Sequence, residues 1–252
     1  MKVVILAGGF GTRLNSSLEN YPKPMAMVGN KPILHHLMNI FSKFSQNEFL
    51  LALGYKKEMI IDYFINYKNL NSDINIDMST GLINHLNHQE KKWNISLIDT
   101  GLNSMTGGRL LRLKKYLDDT FILTYGDGLS NINIDELIRF HKSHKKMVTV
   151  TAVRPIARFG ELDIEGDSVK TFSEKPQINS GWINGGFFVM EPEFLELIDD
   201  DQTVLEKGPL EKAASLHELM AYKFDGFWQC LDTKRDLDYL NHLNDSDHAP
   251  WI

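Results

Sequence analysis

Apolar positions along the chain follow two periods that take turns. Val3 to Ala7 is an unbroken apolar run closed by Gly8 and Gly9, the pattern of a strand buried on both faces of a parallel sheet. Behind Pro32, the positions Ile33, Leu37, Ile40 and Phe44 recur at helical spacing and predict a helix starting there. Phe49 to Leu53 is a second strand-like run, and Ile60, Phe64 and Tyr67 form a second helical stripe beyond Gly54. This strand, helix, strand, helix order predicts an α/β fold: a doubly wound, mostly parallel, Rossmann-like sheet with helices on both faces.

The rhythm lapses over about 69–93, which is rich in Asn, Asp, Ser and His. A small β-rich excursion with one strand, Ile74 to Met78, is the expectation there. The apolar pattern returns at Ile95 to Thr100, predicts a helix over about Gly108 to Tyr116, and gives a strong strand at Phe121 to Tyr125. Helical spacing at Ile134, Leu137, Ile138 and His141 precedes the β-branched run Val148 to Thr151. Leu162, Ile164, Val169 and Phe172 predict a hairpin across Glu165-Gly166-Asp167-Ser168, and Phe187 to Met190 another strand. Helical patterns around Glu193 to Ile198, over Pro209 to His217 and from about Thr233 to Leu243 close the chain. No repeat or low-complexity linker interrupts it, so its 252 residues, 42% hydrophobic, are expected to form one domain over 1–252.

Composition narrows the chemistry. A formal net charge of −6 excludes the basic footprint of a nucleic-acid binder, so a polyphosphate would have to be held locally by a few cations, backbone amides and a metal. The single cysteine, Cys230, excludes an internal disulfide and fits a reducing compartment; between Trp228 and Leu231 it reads as a buried, inert thiol. The first apolar run is too short for a signal segment, and no stretch is long enough to span a bilayer, which predicts a cytoplasmic protein without a membrane partner. The nine histidines accompany no metal-ligand spacing.

Candidate chemistry begins at Leu6-Ala7-Gly8-Gly9-Phe10-Gly11-Thr12-Arg13, a strand running into a glycine loop that ends in a hydroxyl and a forked cation. Bare backbone amides of this kind cradle phosphates, and Arg13 suits phosphate oxygens. The loop departs from the dinucleotide fingerprint, which needs a third glycine where Leu14 stands, and from the P-loop. Lys23 follows between Pro22 and Pro24, presented from a stiff segment as a point charge for a triphosphate. Asp127, between Gly126 and Gly128, ends the strand Phe121 to Tyr125 at the sheet edge where α/β ligands bind, and a carboxylate there suits Mg2+. Asp232, a second candidate carboxylate, follows another strand-like run; spacing alone does not pair it with Asp127, and it also reads as the N-cap of the last helix. Glu174 and Lys175 offer an acceptor and a donor side by side, and Asn184 before Gly185 and Gly186 brings an amide and bare backbone to a ligand, or serves a bulge.

In order, Leu6 to Leu14, Pro22 to Pro24, Gly126 to Gly128, Glu174 to Pro176 and Asn184 to Gly186 resemble the signature L-A-G-G-x-G-T-R-L, P-K-P, G-D-G, E-K-P and N-G-G of the sugar-phosphate nucleotidylyltransferase family. Gly54-Tyr55-Lys56, Trp93-Asn94-Ile95, Ser104 to Leu110, Arg158-Phe159-Gly160, Gly226 to Gln229 and Ala249-Pro250-Trp251 extend the similarity over nearly the whole chain, toward the branch that joins CTP to glucose 1-phosphate. The resemblance implies that Leu6 to Arg13 and Lys23 hold the triphosphate and that Ser104, Arg109 and Gly126 meet the nucleotide. It also implies that Asp127 and Asp232 bind Mg2+, that Glu174, Lys175, Asn184 and Gly185 face the sugar phosphate within about 155–232, and that copies of the chain form a homo-oligomer. Departures at Asn15-Ser16-Ser17, Leu102-Asn103 and Leu205 to Leu219 avoid these positions, and leave the acceptor open to another sugar 1-phosphate or small phosphate ester. Two other classes share the opening strand and loop. A dinucleotide-dependent oxidoreductase lacks its third glycine here, and a non-catalytic nucleotide-binding regulator would not need Lys23 and both aspartates.

Overall fold

The computed structural model describes residues 1–11, 21–87, 91–155, 161–165, 168–173, 181–246 and 248–252. In chain order the elements are β1 (Lys2–Leu6), β2 (Met27–Val28), β3 (Lys31–Pro32), α1 (Ile33–Ser42), β4 (Glu48–Leu53), α2 (Lys57–Ile65), α3 (Tyr67–Leu70), β5 (Asp73–Asp77), β6 (Leu82–Leu86) and β7 (Asn94–Asp99). There follow α4 (Thr106–Arg112), β8 (Phe121–Tyr125), β9 (Gly128–Ser130), α5 (Ile134–His144), β10 (Val148–Val153), β11 (Glu161–Glu165), β12 (Ser168–Ser173), β13 (Ile183–Met190), α6 (Pro209–Ser215), β14 (Leu219–Phe224), β15 (Trp228–Cys230) and α7 (Lys234–Asp245).

Seven strands make the central sheet in the order β14-β10-β13-β8-β1-β4-β7. Neighbours are parallel except that β13 runs against both β8 and β10, so the expected mostly parallel, doubly wound sheet is present with one reversed strand. Alternation along β1 divides the core. Val3 and Ile5 pack with α1, α5 and α7 on one face, and Val4 and Leu6 pack with α4 and α6 on the other. The chain leaves β1 to one side for β4 and β7, then returns to its other side as β8. This reversal opens a crevice at the carboxyl ends of β1 and β8, where open α/β sheets take their ligands.

Several elements differ from the expectation. The polar excursion holds a two-stranded hairpin, β5 with β6, rather than one strand; no face of it is buried, so Leu82–Leu86 carries no alternation to announce it. The helix expected from Gly108 begins two residues earlier and ends at Arg112, followed by a 3-10 turn over Lys114–Tyr116. The two glycines at its start are tolerated because both amides donate to the Thr203 carbonyl and Gly108 packs directly on the Asp201 backbone, where a Cβ would stand 2.2 Å from an oxygen. The stripe through Tyr67 breaks at Asn66, and Pro192–Leu197 is a 3-10 turn. The hairpin across Glu165 and Ser168 is present as β11 paired with β12.

Candidate active site

Three loops meet at the crevice. The first leaves β1: the Ala7 amide donates to Ala52 (3.0 Å), Gly8 accepts from the Tyr55 amide, and Gly11 turns with φ +64. A Cβ on Gly11 would lie 3.1 Å from Cγ of Lys23, so the loop runs directly beside the lysine stem. The second is Pro22-Lys23-Pro24, a 3-10 turn after a Pro22 held at φ −66. Pro24 packs on Gly126, where a Cβ would come within 2.9 Å of its ring, and Gly126 donates its amide to Leu6 (3.1 Å). The third loop is a pair. β9 and β15 run antiparallel with Gly128 opposite Cys230, and the Leu231 amide donates to the Asp127 carbonyl (2.8 Å), which brings Asp127 and Asp232 from 105 positions apart to one spot.

There Lys23 Nζ lies 2.6 Å from Asp232 Oδ1 and 3.2 Å from Asp127 Oδ2, with side-chain exposures of 13%, 23% and 26%. Burial opposes the lysine charge, but Asp127 and Asp232 outweigh it and hold the ammonium above its ordinary pKa. Burial also raises the Asp127 carboxyl, more than the Lys23 charge lowers it. Asp232 is not the N-cap of the last helix. Thr233 takes that place, and the Asp236 carboxylate accepts from the amides of Asp232 (3.0 Å) and Thr233 (2.7 Å), fixing the turn that presents Asp232. Two hard carboxylates around one cation-sized space are a donor set that suits Mg2+, whose remaining positions are filled by water and phosphate oxygens. Among the described residues no third His, Cys, Asp or Glu joins them.

The cleft around this centre has a volume of about 930 Å3, room for a nucleotide and a second ligand. Leu6, Ala7, Gly8, Gly9, Gly11, Lys23, Ser104, Arg109, Gly126, Asp127, Asn184 and Asp232 of the expected site all line it. Thr12, Arg13, Glu174 and Lys175 lie outside the described residues. Arg109 has a structural task as well: its guanidinium donates to the carbonyls of Leu53 (3.1 Å), Gly101 (2.6 Å) and Leu102 (3.1 Å) and fills the space a side chain at Gly8 or Gly54 would need. Ser104 donates its hydroxyl to the Thr100 carbonyl (2.6 Å). Gly185 sits one layer behind, on a small adjoining cavity. Its carbonyl accepts from the Trp228 indole (2.7 Å), and the register of β10 with β13 shifts beside it, so the bulge role of the glycine pair is realised.

The structure adds residues that the sequence pattern did not single out. Glu206 accepts from the Tyr125 hydroxyl and, at 2.8 Å, from Thr106; Asn184 reaches the same tyrosine oxygen (3.4 Å). Burial, then the charge of Glu206, hold the Tyr125 phenol protonated. Phe10, Met105, Ile183 and Trp228 supply apolar wall. The Cys230 thiol also faces the cleft, but burial and the charges of Asp232 and Asp127 push it up to about 12, which leaves it unreactive at neutral pH.

The nucleotidyl transferase family model matches residues 2–232, a span that contains every residue of the cleft. The chain belongs to the nucleotidyl transferase family. Among curated nucleotidyl transferases it is similar to the glucose-1-phosphate cytidylyltransferases of Salmonella typhi and Salmonella typhimurium, each 46% identical over 253 aligned residues that cover 100% of this chain and 98% of the relative. Its fold is that of a solved UDP-glucose pyrophosphorylase in complex with UDP-glucose, with a TM-score of 0.69 at 15% identity, covering 98% of both chains. As a nucleotidyl transferase the protein is an enzyme acting on small nucleotide and sugar-phosphate substrates.

Proposed function

We propose that this enzyme transfers the cytidylyl group of CTP to α-D-glucose 1-phosphate, giving CDP-glucose and pyrophosphate. The observation that carries the chemistry is the convergence of Asp127, Asp232 and Lys23 beside the Gly8 to Gly11 loop at the carboxyl edge of the sheet. The choice of CTP and glucose 1-phosphate is supported by the two Salmonella relatives, which match along the full length.

An oxygen of the sugar phosphate attacks the α-phosphorus in line, and the bond from that phosphorus to the bridging oxygen breaks, with pyrophosphate carrying the electron pair. A phosphate monoester is mostly dianionic at pH 7, so no strong general base is needed. What the protein supplies is alignment and charge neutralisation. Backbone amides of the glycine loop cradle the triphosphate, Lys23 and Arg13 meet its oxygens, and Asn184, Glu174 and Lys175 orient the acceptor. Asp127 and Asp232 would hold Mg2+, which neutralises phosphate charge and steadies the leaving group.

Pyrophosphate release with Mg2+, measured for each NTP with glucose 1-phosphate and a set of other sugar phosphates, tests the assignment. Release confined to CTP with glucose 1-phosphate is expected. Release with CTP and a different acceptor keeps the mechanism and changes the substrate, whereas no release with any pair contradicts the assignment and favours a nucleotide-binding regulator.

The enzyme is further proposed to work in the cytoplasm, in keeping with its soluble substrates and single thiol; among the described residues no helix is long and apolar enough to cross a membrane. Self-association is proposed through the hairpin of the excursion. Ile74, Ile76 and Ile83 share one of its faces and stand 44–48% exposed, and an isolated hairpin is marginal on its own. The β6 strand carries no carboxylate or lysine, so two copies can pair along it without like charges meeting, whereas β5 would set Asp73 against Asp77. Light scattering behind gel filtration should give an oligomer that Ile83→Lys shifts toward monomer; a monomeric parent chain contradicts the proposal.

A further inference from the structure

The Lys23 ammonium occupies the space between the Asp127 and Asp232 carboxylates, within hydrogen-bonding distance of both, and all three side chains are largely withdrawn from water. Two carboxylates this close repel each other unless a cation lies between them, and in a partly buried site that repulsion is weakly screened. The lysine therefore performs, in the nucleotide-free protein, the neutralising task that the metal performs in turnover. One centre cannot hold both cations at once.

We infer that Lys23 is an internal counter-cation that guards the metal position and is drawn off it by the incoming triphosphate, so that metal and nucleotide enter as a coupled pair. This rests on the reading of Asp127 and Asp232 as the Mg2+ ligands. A divalent ion arriving alone would have to expel an ammonium already paired with both carboxylates. A triphosphate in the glycine loop offers that ammonium new anionic partners. Gly11 lies against the lysine stem, so anions cradled there are within its reach. The backbone of Lys23 is pinned between Pro22 and Pro24, while the rotatable bonds of its four-carbon stem let the ammonium change partners without the segment moving. Both anionic groups keep a counter-charge in the exchange: the carboxylates trade the ammonium for the divalent ion, and the lysine trades carboxylate for phosphate. By linkage, the nucleotide then raises affinity for the metal as much as the metal raises affinity for the nucleotide.

The distinguishing consequence is that removing an active-site lysine tightens metal binding. Mn2+ titrated without nucleotide and read by electron paramagnetic resonance should bind the wild-type protein weakly and Lys23→Met about tenfold or more tightly. Lys57→Met, which removes an equal charge from the exposed pair with Asp99, should match the wild type. Lys23→Gln serves the same purpose should the methionine variant lose its folded circular dichroism. Mn2+ affinity that is unchanged or weaker in the folded Lys23 variant, or raised equally by Lys57→Met, overturns the inference. Pyrophosphate release by the wild-type enzyme is scored separately: if it persists while the Mn2+ result fails, the transfer assignment stands and only the guarding role falls.

Discussion

Lys23, Asp127 and Asp232 form one ion-paired group, and losing the lysine leaves two carboxylates side by side without the cation between them. Asp127→Ala or Lys23→Ala should lower turnover by about a hundredfold or more, the scale of removing one preorganised charge from a transfer site, with the fold retained by circular dichroism. Near-normal turnover in either variant would contradict the assigned roles. Sequence reading reached these three residues because each sits in distinctive local company: a lysine between prolines, an aspartate between glycines, an aspartate closing an apolar run. Glu206 was out of reach for the opposite reason. Its neighbours Leu205 and Lys207 say nothing about a site, and its partners Tyr125 and Thr106 lie 81 and 100 positions away, so only the folded chain brings them to it.

At the scale of elements, the last helix does more than close the fold. Asp236, the N3 partner of the Thr233 N-cap in a capping box, also fixes the turn holding Asp232, so Asp236→Ala should cost about 1 kcal/mol of stability, the scale of a lost capping interaction. It should also weaken Mg2+ dependence by loosening Asp232. Thermal melts together with a Mg2+ titration of turnover check both effects, and a melting shift with an unchanged Mg2+ curve would separate the cap from the site. The strands whose side chains are buried on alternating or both faces, such as β1, β4 and β8, were legible in the apolar pattern. Strand direction was not, since β13 has the same buried pattern whichever way it runs, and the sheet reverses there. Both strands of the excursion are solvated, and the second escaped because Leu82–Leu86 lacks the apolar alternation that Asp73–Asp77 shows.

At the scale of the molecule, the N-terminal face of the core carries a buried imidazole with consequences for acid stability. His35 on α1, 4% exposed and beside Tyr63, Tyr67 and Trp93, is lowered from its ordinary value of 6.5 to about 3 by burial first and by the charges of Lys31 and Lys91 next. The unfolded chain therefore binds a proton at this position between those values while the native protein does not. Stability is full above pH 6.5 and falls as pH drops toward 3, by about 1.4 kcal/mol per pH unit at the steepest. Urea unfolding midpoints measured across that range for wild type and His35→Gln should show a flatter acid limb in the variant; identical limbs would assign the acid loss to other groups.

The central claim is that the cleft carries out cytidylyl transfer at the α-phosphorus of CTP, and the fate of two labels decides it. CTP labelled with 32P at the α position and, separately, at the γ position is incubated with the enzyme, Mg2+ and glucose 1-phosphate, and the products are resolved. The account predicts the α label wholly in CDP-glucose and the γ label wholly in pyrophosphate. A γ label transferred to the sugar, or an α label recovered only as CMP, would contradict it.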